Sequence, residues 1–361
     1  MKQNLIFFLP NFSLGGASNS IKNICYKVRE KNKKINIIII SIGNNSLKSF
    51  FLKKKIKVIE IKYSKTIFAI LKIKKILKKF SNEKTTFISN INYANVITCL
   101  FLKKNENLKI ILTERTPIQE LFYYSSVIDF IKKKIIFYLV KITYKKANYI
   151  IGNSNAVSKD LSKYTSCKVI TLFPIVEISK TKKIKNKNVN ISWVGRNSPE
   201  KNIEDFIKAL NELDLKKNIK INIVTDRFNS NKLSKNLIKK ISVQNFKINK
   251  KNLINIYKKT DIMVNTSLYE GFPNVIAEAI NYCCLIIASK SHGGCNDLIK
   301  NGSSGITYKT KDYISLSKKI DYAINNLNRL QDLKKIAKKN LKLIETKNEN
   351  YIKFFRQNNI I

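Results

Sequence analysis

Short apolar runs alternate with longer amphipathic stretches along the whole chain, and this alternation constrains the fold more than any other feature. In the first half the apolar runs lie at residues 5–9, 35–40, 85–89, 108–113 and 148–152. They lack a polar residue at every second position, as the strands of a parallel sheet covered on both faces require. Helical periodicity fills the intervals, notably at 17–31, 66–80, 127–146 and 155–163. This order of elements predicts an α/β fold.

A polar, lysine-rich segment at 178–190 interrupts the alternation and is the best candidate for a linker. Beyond it, strands are predicted at 191–195, 219–225, 261–265, 285–288 and 304–308. Helices are predicted between them at 202–213, 231–240, 250–259, 274–283 and 312–327. The pattern indicates two Rossmann-like parallel-sheet domains, 1–177 and 191–328, facing across a cleft, the usual place for a ligand. Residues 329–361 are predicted to form C-terminal helices that can pack back on the first domain.

The charge balance is strongly basic, since 69 lysines and arginines oppose 24 acids and the formal net charge is +45. Only six of these cations are arginines, and the lysines are spread along the chain between isoleucines and asparagines. Surfaces that read bases favour arginine, whose planar fork matches guanine and phosphate. A compositional drift toward Lys, Ile and Asn explains the charge best. Attraction to an anionic membrane is the second interpretation, and nucleic-acid binding is the third.

The cysteines and the termini indicate the compartment. Six cysteines show no CxxC pair, so neither a zinc site nor a disulfide framework is expected, and reduced thiols in a cytoplasmic protein are favoured. The single histidine, His292, lies in a glycine turn, and we interpret it as structural and not as a general base. No apolar run reaches the roughly 18 residues of a membrane span, and the first run is too short for a signal peptide. A soluble protein, or one that lies on a membrane surface, is expected.

Two segments combine the features of an anion-binding turn. Gly15 and Gly16 lie between a predicted strand and a predicted helix, where glycines admit a ligand close to backbone N–H groups. Arg196 and Lys201 flank a tight turn in WVGRNSPEKNI, again before a helix. Two cations beside a helix N-terminus suit a diphosphate. An ordinary strand-to-helix turn and two solvated cations are the simpler interpretations.

The most specific segment is SLYEGFPNVIAEAINYC at 267–283. Glu270 and Glu278 stand eight residues apart, and Pro273 between them suits the first turn of a helix. A diphosphate can lie against the exposed N–H groups from Phe272 to Val275, and the two carboxylates can accept hydrogen bonds from sugar hydroxyls. The purely structural interpretations are helix capping for Glu270 and an ordinary solvated acid for Glu278.

With these segments the sequence resembles the family-4 retaining glycosyltransferases of the GT-B fold. EGFPNVIAEA carries that family's Glu-x7-Glu signature. The order GG (15–16), NSNAVSKDL (153–161), VGR...K (194–201), EGFPN (270–274) and GG (293–294) also follows the family's order. The resemblance implies an enzyme that needs neither metal nor cofactor. It implies transfer of a sugar from a nucleotide-sugar donor, UDP-linked, to a glycan or lipid-linked acceptor in assembly of cell-envelope polysaccharide.

The resemblance also implies a role for each motif residue. Arg196 and Lys201 would neutralise the donor diphosphate, and the backbone N–H groups of Gly15–Gly16 would assist from the other domain. Glu278 would hold the ribose hydroxyls, and Glu270 would contact the transferred sugar near its reacting end. The backbone would surround the sugar and the phosphate at Gly271, Phe272, Pro273, Asn274 and Val275.

The sequence departs from the family pattern at several positions. Glu114 and Arg115 stand where many relatives have a histidine, and we assign them to the acceptor side. Cys283 and Leu285 replace the glycine and the proline that usually follow the second glutamate. A non-catalytic GT-B partner subunit therefore stays open. So do a different reaction on the same fold, such as epimerisation or phosphorolysis, and a basic nucleic-acid-binding protein.

Two basic amphipathic stretches, at 65–80 and 130–146, have the composition of interfacial helices. Each is explained most simply as a sheet-covering helix with a lysine-rich outer face. A second possibility is that one of them docks on an anionic membrane, where a lipid-linked acceptor would lie. In that case the protein would lie on the inner face of the plasma membrane.

Overall fold

The chain forms two compact units. The computed structural model describes residues 3–13, 15–63, 65–176, 178, 183–184, 187–213, 219–228, 234, 237, 239, 241–245, 250–347 and 349–361. Unit 1 comprises Met1–Ile175 and Lys347–Ile361, and unit 2 comprises Val176–Thr346. Most of the predicted linker at 178–190 and most of the predicted helix at 231–240 lie outside the described residues.

Unit 1 is built on a seven-stranded parallel sheet. Its strands are β1 (Gln3–Phe8), β2 (Asn36–Ile42), β3 (Lys57–Ile61), β4 (Lys84–Asn90), β5 (Leu108–Glu114), β6 (Tyr149–Gly152) and β7 (Val169–Thr171). They lie in the order β3-β2-β1-β4-β5-β6-β7. Its helices are α1 (Gly16–Lys31), α2 (Lys48–Lys53), α3 (Thr66–Lys78), α4 (Asn92–Phe101), α5 (Val127–Thr143), α6 (Asn155–Leu161) and a helix at Asn350–Gln357. Each strand is joined to the next strand in the sequence by a segment that contains a helix, as the connection of parallel strands requires.

Helices cover both faces of this sheet, which explains why its central strands are continuously apolar. Leu5 and Phe7 of β1 pack into a core with α1, α2 and the helix at Asn350–Gln357. Ile6 and Phe8, which point to the opposite face, pack into a second core with α3, α4 and α6. All four side chains are fully buried. The sequence pattern predicted this arrangement, and the predicted α/β class is confirmed.

Unit 2 contains a second parallel sheet with a shorter one beside it. Its strands are β8 (Val189–Val194), β9 (Ile219–Thr225), β10 (Ile241–Asn245), β11 (Ile262–Asn265), β12 (Tyr269–Glu270), β13 (Leu285–Ser289), β14 (His292–Gly293) and β15 (Ile306–Tyr308). The main sheet has the order β10-β9-β8-β11-β13-β15, and β12 pairs with β14. The helices are α7 (Ile203–Asn211), α8 (Lys250–Lys259), α9 (Asn274–Asn281), α10 (Cys295–Leu298), α11 (Tyr313–Asn326) and α12 (Gln331–Glu345).

Several elements escape the sequence patterns for physical reasons. Helix α4 is buried over most of its length, so it lacks the polar face on which helical periodicity depends. Strands β3 and β7 lie at the two edges of the first sheet and are short and only partly buried. The C-terminal segment divides between the units, since α12 belongs to unit 2 and residues 347–361 belong to unit 1.

Candidate functional site

The candidate site lies at the carboxyl ends of the central strands of unit 2. From β8 the chain continues to β9 and β10, which lie on one side of β8 within the sheet. It then crosses to β11, the neighbour of β8 on the other side. The loops that follow β8 and β11 therefore leave the sheet in different directions, and ligands of open parallel sheets bind at such a point. Arg196 and Lys201 follow β8, whereas Glu270 follows β11.

A chain of hydrogen bonds ties these two loops together. The indole Nε1 of Trp193, at the end of β8, donates to Thr266 Oγ1 at 2.9 Å. The same hydroxyl donates to the carbonyl oxygen of Lys201 at 2.7 Å. One residue earlier, the backbone N–H of Leu268 donates to the carbonyl oxygen of Glu200 at 2.8 Å. The backbone at Lys201 is thereby held against the segment that carries Glu270.

Lys201 and Glu270 form a direct ion pair, in which the ammonium group of the lysine donates to Glu270 Oε1. Only 19 % of the Lys201 side chain and 11 % of the Glu270 side chain are exposed. Ser267 Oγ donates to the same carboxylate oxygen at 2.8 Å. A largely buried carboxylate needs such partners, because an unpaired buried charge is costly.

Arg196 is held much more loosely than Lys201. Its side chain is 61 % exposed, and its guanidinium lies 3.4 Å from Glu200 Oε1. Ser198 Oγ donates to the same Glu200 oxygen at 2.6 Å, so the carboxylate already has a second partner. An exposed pair of this length contributes about 1 kcal/mol or less. Arg196 can therefore turn toward an anionic ligand at small cost.

The backbone at Glu270 is fixed by the glycine pair that follows β13. β12 and β14 pair in parallel, with Glu270 opposite Gly293. The N–H of Gly294 donates to the carbonyl oxygens of Glu270 at 3.0 Å and of Gly271 at 2.9 Å. Gly293 has a φ of +117°, and a Cβ there would lie 1.6 Å from the carbonyl oxygen of Glu270. His292 is exposed and contributes its backbone to the pairing.

The turn Gly271–Asn274 leads directly into helix α9. Gly271, Phe272 and Pro273 are buried. The N–H groups of Ile276 and Ala277 both donate to the carbonyl oxygen of Pro273, at 3.0 and 3.1 Å. The N–H of Asn274 donates to the carbonyl oxygen of Phe272 at 3.0 Å. The N–H of Val275 lies in the first turn, where a helix has no carbonyl of its own four residues back, and it marks the positive end of α9. The helix begins four residues after Glu270, the carboxylate of the ion pair with Lys201.

Glu278 lies on the exposed side of α9, four residues after its start. Tyr257 donates its hydroxyl to Glu278 Oε2 at 2.8 Å. The ring of Tyr257 stacks on that of Tyr282, with 6.0 Å between centroids and 11° between planes. Burial, and then the charge of Glu278, raise the pKa of Tyr257 well above its ordinary value. The phenol therefore stays protonated and orients the carboxylate.

In unit 1, Gly15 and Gly16 stand at the start of α1. Gly15 has an extended backbone, and a Cβ on it would meet no atom within 4 Å. Neither backbone conformation nor crowding requires a glycine at this position. The role of both glycines toward a diphosphate stays a prediction.

Glu114 and Arg115 lie at the end of β5. Glu114 is fully buried, and its Oε1 accepts hydrogen bonds from the hydroxyl of Tyr144 and from Asn95 Nδ2, the latter at 2.7 Å. Burial raises the pKa of its carboxyl to about 7, against the effect of these two donors. The guanidinium of Arg115 donates to Asn90 Oδ1 through two nitrogens, at 3.2 and 2.9 Å. Their assignment to the acceptor side stays a prediction.

Unit 2 is similar in sequence to a known family. Residues 175–340, which span nearly all of this unit, match the family model described as glycosyl transferases group 1. Within the described residues, no group of three or more His, Cys, Asp or Glu side chains is arranged to hold a metal ion.

Two sequence relatives are similar to the chain over more than unit 2. The chain is 24 % identical over 358 residues, 94 % of each chain, to the GalNAc-alpha-(1->4)-GalNAc-alpha-(1->3)-diNAcBac-PP-undecaprenol alpha-1,4-N-acetyl-D-galactosaminyltransferase of Campylobacter jejuni. It is 28 % identical over 235 residues to an uncharacterised glycosyltransferase of Methanocaldococcus jannaschii, a match that covers 60 % of this chain and 58 % of the other.

Solved structures share the fold of this chain over almost its whole length. Anabaena HepE, crystallised with UDP and glucose, matches with a TM-score of 0.76 at 15 % identity, over 98 % of this chain and 100 % of that one. Sucrose-phosphate synthase of Thermosynechococcus elongatus matches with a TM-score of 0.81 at 13 % identity, over 99 % of each chain. The predicted GT-B fold is thereby confirmed.

Sequence patterns identified the charged residues of unit 2 individually but did not predict that two of them form an ion pair. Lys201 and Glu270 are 69 residues apart, so no short spacing marks their ion pair. Ser267 and Thr266 were also missed, although both follow directly after β11, where the chain reaches the carboxyl edge of the sheet. Their position after a strand was the available signal.

Gly293→Ala is expected to lower the free energy of unfolding of the protein by roughly 2–4 kcal/mol, because β12 and β14 must separate to admit the methyl group. Gly302→Ala is the matched control, since Gly302 has a φ of +74° but open space around it. The control should cost about 1 kcal/mol, the strain of the left-handed backbone alone. Urea denaturation measures both, and equal losses would contradict the crowding at Gly293.

The stability of the protein is expected to depend on pH through the buried carboxyl group of Glu114. In the folded state burial raises the pKa of Glu114 from its ordinary 4.5 to about 7, so its contribution to stability is complete below pH 4.5 and is lost as the pH rises through 7. Glu114→Gln keeps an acceptor oxygen for Tyr144 and Asn95 but does not titrate. The stability of the variant relative to the wild type should therefore rise from about pH 4.5 to 7 and then level off. Urea denaturation across this range tests it, and a constant difference would refute it.

Proposed function

We propose that the protein is a retaining glycosyltransferase that moves a hexose from a UDP-linked donor to a glycan or lipid-linked acceptor in the assembly of cell-envelope polysaccharide. The observation that carries the donor assignment is the Lys201–Glu270 ion pair beside the start of α9. A cation, a carboxylate and a helix N–H at one strand edge match a diphosphate and a sugar. The solved structure of HepE with UDP and glucose supports UDP, and the Campylobacter relative, by its name, acts on an undecaprenol-linked acceptor.

The donor diphosphate is neutralised by Arg196 and Lys201 in this proposal, without a metal ion. The ammonium of Lys201 then shares its charge between Glu270 and a phosphate oxygen. The N–H of Val275, at the start of α9, binds a further phosphate oxygen.

Glu278 binds the ribose hydroxyls, oriented by Tyr257, and Glu270 accepts a hydrogen bond from the transferred sugar. In retaining transfer the acceptor oxygen bonds to the anomeric carbon on the face from which the diphosphate leaves. The bond from that carbon to the diphosphate oxygen breaks, and the hydroxyl proton of the acceptor passes to the leaving diphosphate. Glu270 stabilises the positive charge that develops on the sugar, an interaction that is strongest in the transition state.

Donor binding is tested by a thermal-shift panel of UDP, GDP, ADP and their sugar conjugates without metal. UDP and a UDP-sugar should raise the melting temperature by mass action. Arg196→Ala should weaken UDP binding by about 10- to 100-fold, the loss of one charge-assisted hydrogen-bonded contact. Lys208→Ala, which removes an exposed cation from α7, is the control and should bind as the wild type does.

Lys201→Ala alone would leave Glu270 as an unpaired buried carboxylate and would therefore report on folding as well as on binding. Lys201→Gln combined with Glu270→Gln removes both charges, and this variant should fold but bind UDP weakly. If no nucleotide stabilises the wild type, the enzyme proposal fails and a non-catalytic partner subunit takes its place.

The acceptor side of the proposal rests on the outer surface of α5. Five apolar residues at helical spacing are between 51 and 75 % exposed, namely Val127, Ile128, Ile131, Ile135 and Tyr138. Lysines flank this stripe along the helix, at Lys132, Lys134 and Lys141. No helix among the described residues is long and apolar enough to cross a membrane. We propose that α5 lies on the anionic inner face of the plasma membrane, with its apolar stripe between headgroups.

Vesicle co-sedimentation tests this surface. The wild type should sediment with vesicles that contain anionic lipid at low salt, and salt should weaken the binding. Ile128→Ser with Ile131→Ser and Ile135→Ser should lower recovery at least about fivefold, because the apolar part of the binding is lost. Ile336→Ser with Leu343→Ser, on the exposed side of α12, is the control. Equal recovery with neutral and anionic vesicles would refute the assignment.

A further inference from the structure

A second chemical feature of unit 2 lies at the far end of α9 from the Gly271–Asn274 turn. The N–H of Cys283 donates to the carbonyl oxygen of Ile280 at 2.9 Å, and that of Cys284 donates to Ala279 at 3.1 Å. This pair of bonds is a Schellman motif, in which the residue after the cap adopts a left-handed backbone and is usually glycine. Cys283 occupies that position with a φ of +58°. The motif holds its thiol in a defined place at the end of the helix.

The thiol of Cys283 is partly exposed and lies beside a lysine of the neighbouring helix α12. Lys338 Nζ lies 3.5 Å from Cys283 Sγ and also donates to the carbonyl oxygen of Asn281 at 3.3 Å. An ammonium group at this distance stabilises a thiolate by charge and by a hydrogen bond to sulfur. Thiolates, and not thiols, are the nucleophiles in exchange reactions.

Lys334, one helical turn before Lys338, adds a second charge. It is only 7 % exposed, and its ammonium has no hydrogen-bond or ion-pair partner among the residues that the structure describes. Burial lowers the pKa of Lys334, as does the charge of Lys183, whereas Asp261, Cys284 and Cys283 act in the opposite direction. A thiolate on Cys283 is thus one of the negative groups that would stabilise the charge of Lys334.

The remaining charged groups around this cluster do not cancel its positive charge. Lys183 pairs with Asp261 at 3.3 Å and also donates to the carbonyl oxygen of Cys283 at 3.4 Å. The charge of Asp261 is therefore offset by that of Lys183. Lys334 and Lys338 have no such counter-charge within the cluster, so its net charge is positive.

Four of the other five cysteines are buried, whereas Cys283 is partly exposed. Cys25, Cys99, Cys284 and Cys295 are at most 2 % exposed, and burial raises the pKa of each thiol. Cys167 is partly exposed, but burial raises its pKa as well. Cys167 is therefore the natural internal reference for the reactivity of Cys283.

We propose that Cys283, with Lys334 and Lys338, is a modification site that reacts with low-molecular-weight disulfides by thiol–disulfide exchange. The thiolate sulfur of Cys283 attacks one sulfur of the disulfide, and a new S–S bond forms as the old one breaks. The second half of the disulfide leaves as a thiolate and takes a proton from water. The overall oxidation state of sulfur is unchanged, so no further oxidant is needed. This inference is independent of the proposed transferase chemistry.

The test is the rate at which dithiobis(nitrobenzoate) labels the native full-length protein at pH 7, followed by absorbance and by mass spectrometry of the labelled peptides. Cys283 should react at least about tenfold faster than Cys167, and the buried cysteines should react only after unfolding. Lys334→Met and Lys338→Met should each slow the reaction of Cys283 about three- to tenfold. Lys335→Met is the matched control, because Lys335 is exposed and pairs with Asp332 at 2.9 Å.

The outcomes are decisive because three lysines of one helix are compared. A fast phase that disappears in Cys283→Ser and slows only in the Lys334 and Lys338 variants supports the site. Labelling of Cys167 as fast as that of Cys283, or equal rates in all three lysine variants, would overturn it. If Lys338→Met unfolds, as a melting curve would show, Lys334→Met decides the question alone, since replacing a buried lysine by methionine retains the packing. A neutral disulfide probe should give the same ranking, which excludes simple attraction of the anionic reagent.

Discussion

The contact between the loops after β8 and β11 is the constraint on which the site of unit 2 depends. It begins at the buried indole of Trp193, runs through one threonine hydroxyl, and ends in the ion pair of Lys201 with Glu270. Each link joins residues that are far apart in sequence, so the two loops hold their relative positions only in the folded sheet. Preorganised charge of this kind is effective because little rearrangement is needed when a ligand arrives.

The ion pair also explains why a buried lysine and a buried glutamate can stand at the same strand edge. Either charge alone would destabilise the unit, whereas together they are tolerated and keep a cation and an anion available side by side. Arg196, which is exposed and weakly paired, differs in this respect. The site thus contains one rigid cation and one adjustable cation, and the rigid one is coupled to the backbone that leads into α9.

The sequence predicted the α/β class and the two parallel sheets, because continuous apolar strands and spaced helices follow from burial on both sheet faces. The GT-B fold was predicted from the resemblance of its motifs to a known family. The sequence also singled out the charged residues at the carboxyl edge of unit 2. It did not predict the contact of Lys201 with Glu270 or of Tyr257 with Glu278, since such contacts depend on which strands are neighbours in space. Helix α4 was missed because it is buried over most of its length and its exposed residues, Tyr93 and Leu100, do not form a charged face.

The return of the chain to unit 1 has a consequence for the order of folding during synthesis. Tyr351, Ile352, Phe354, Phe355 and Ile360 complete the core beneath α1 and α2. Unit 2 is continuous in sequence, whereas unit 1 lacks part of its core until these last residues leave the ribosome. Domains usually fold in the order of their synthesis. Here most of unit 1 is synthesised before unit 2, but residues 347–361 of unit 1 are synthesised after it. A nascent chain therefore exposes apolar surface of unit 1 while unit 2 folds.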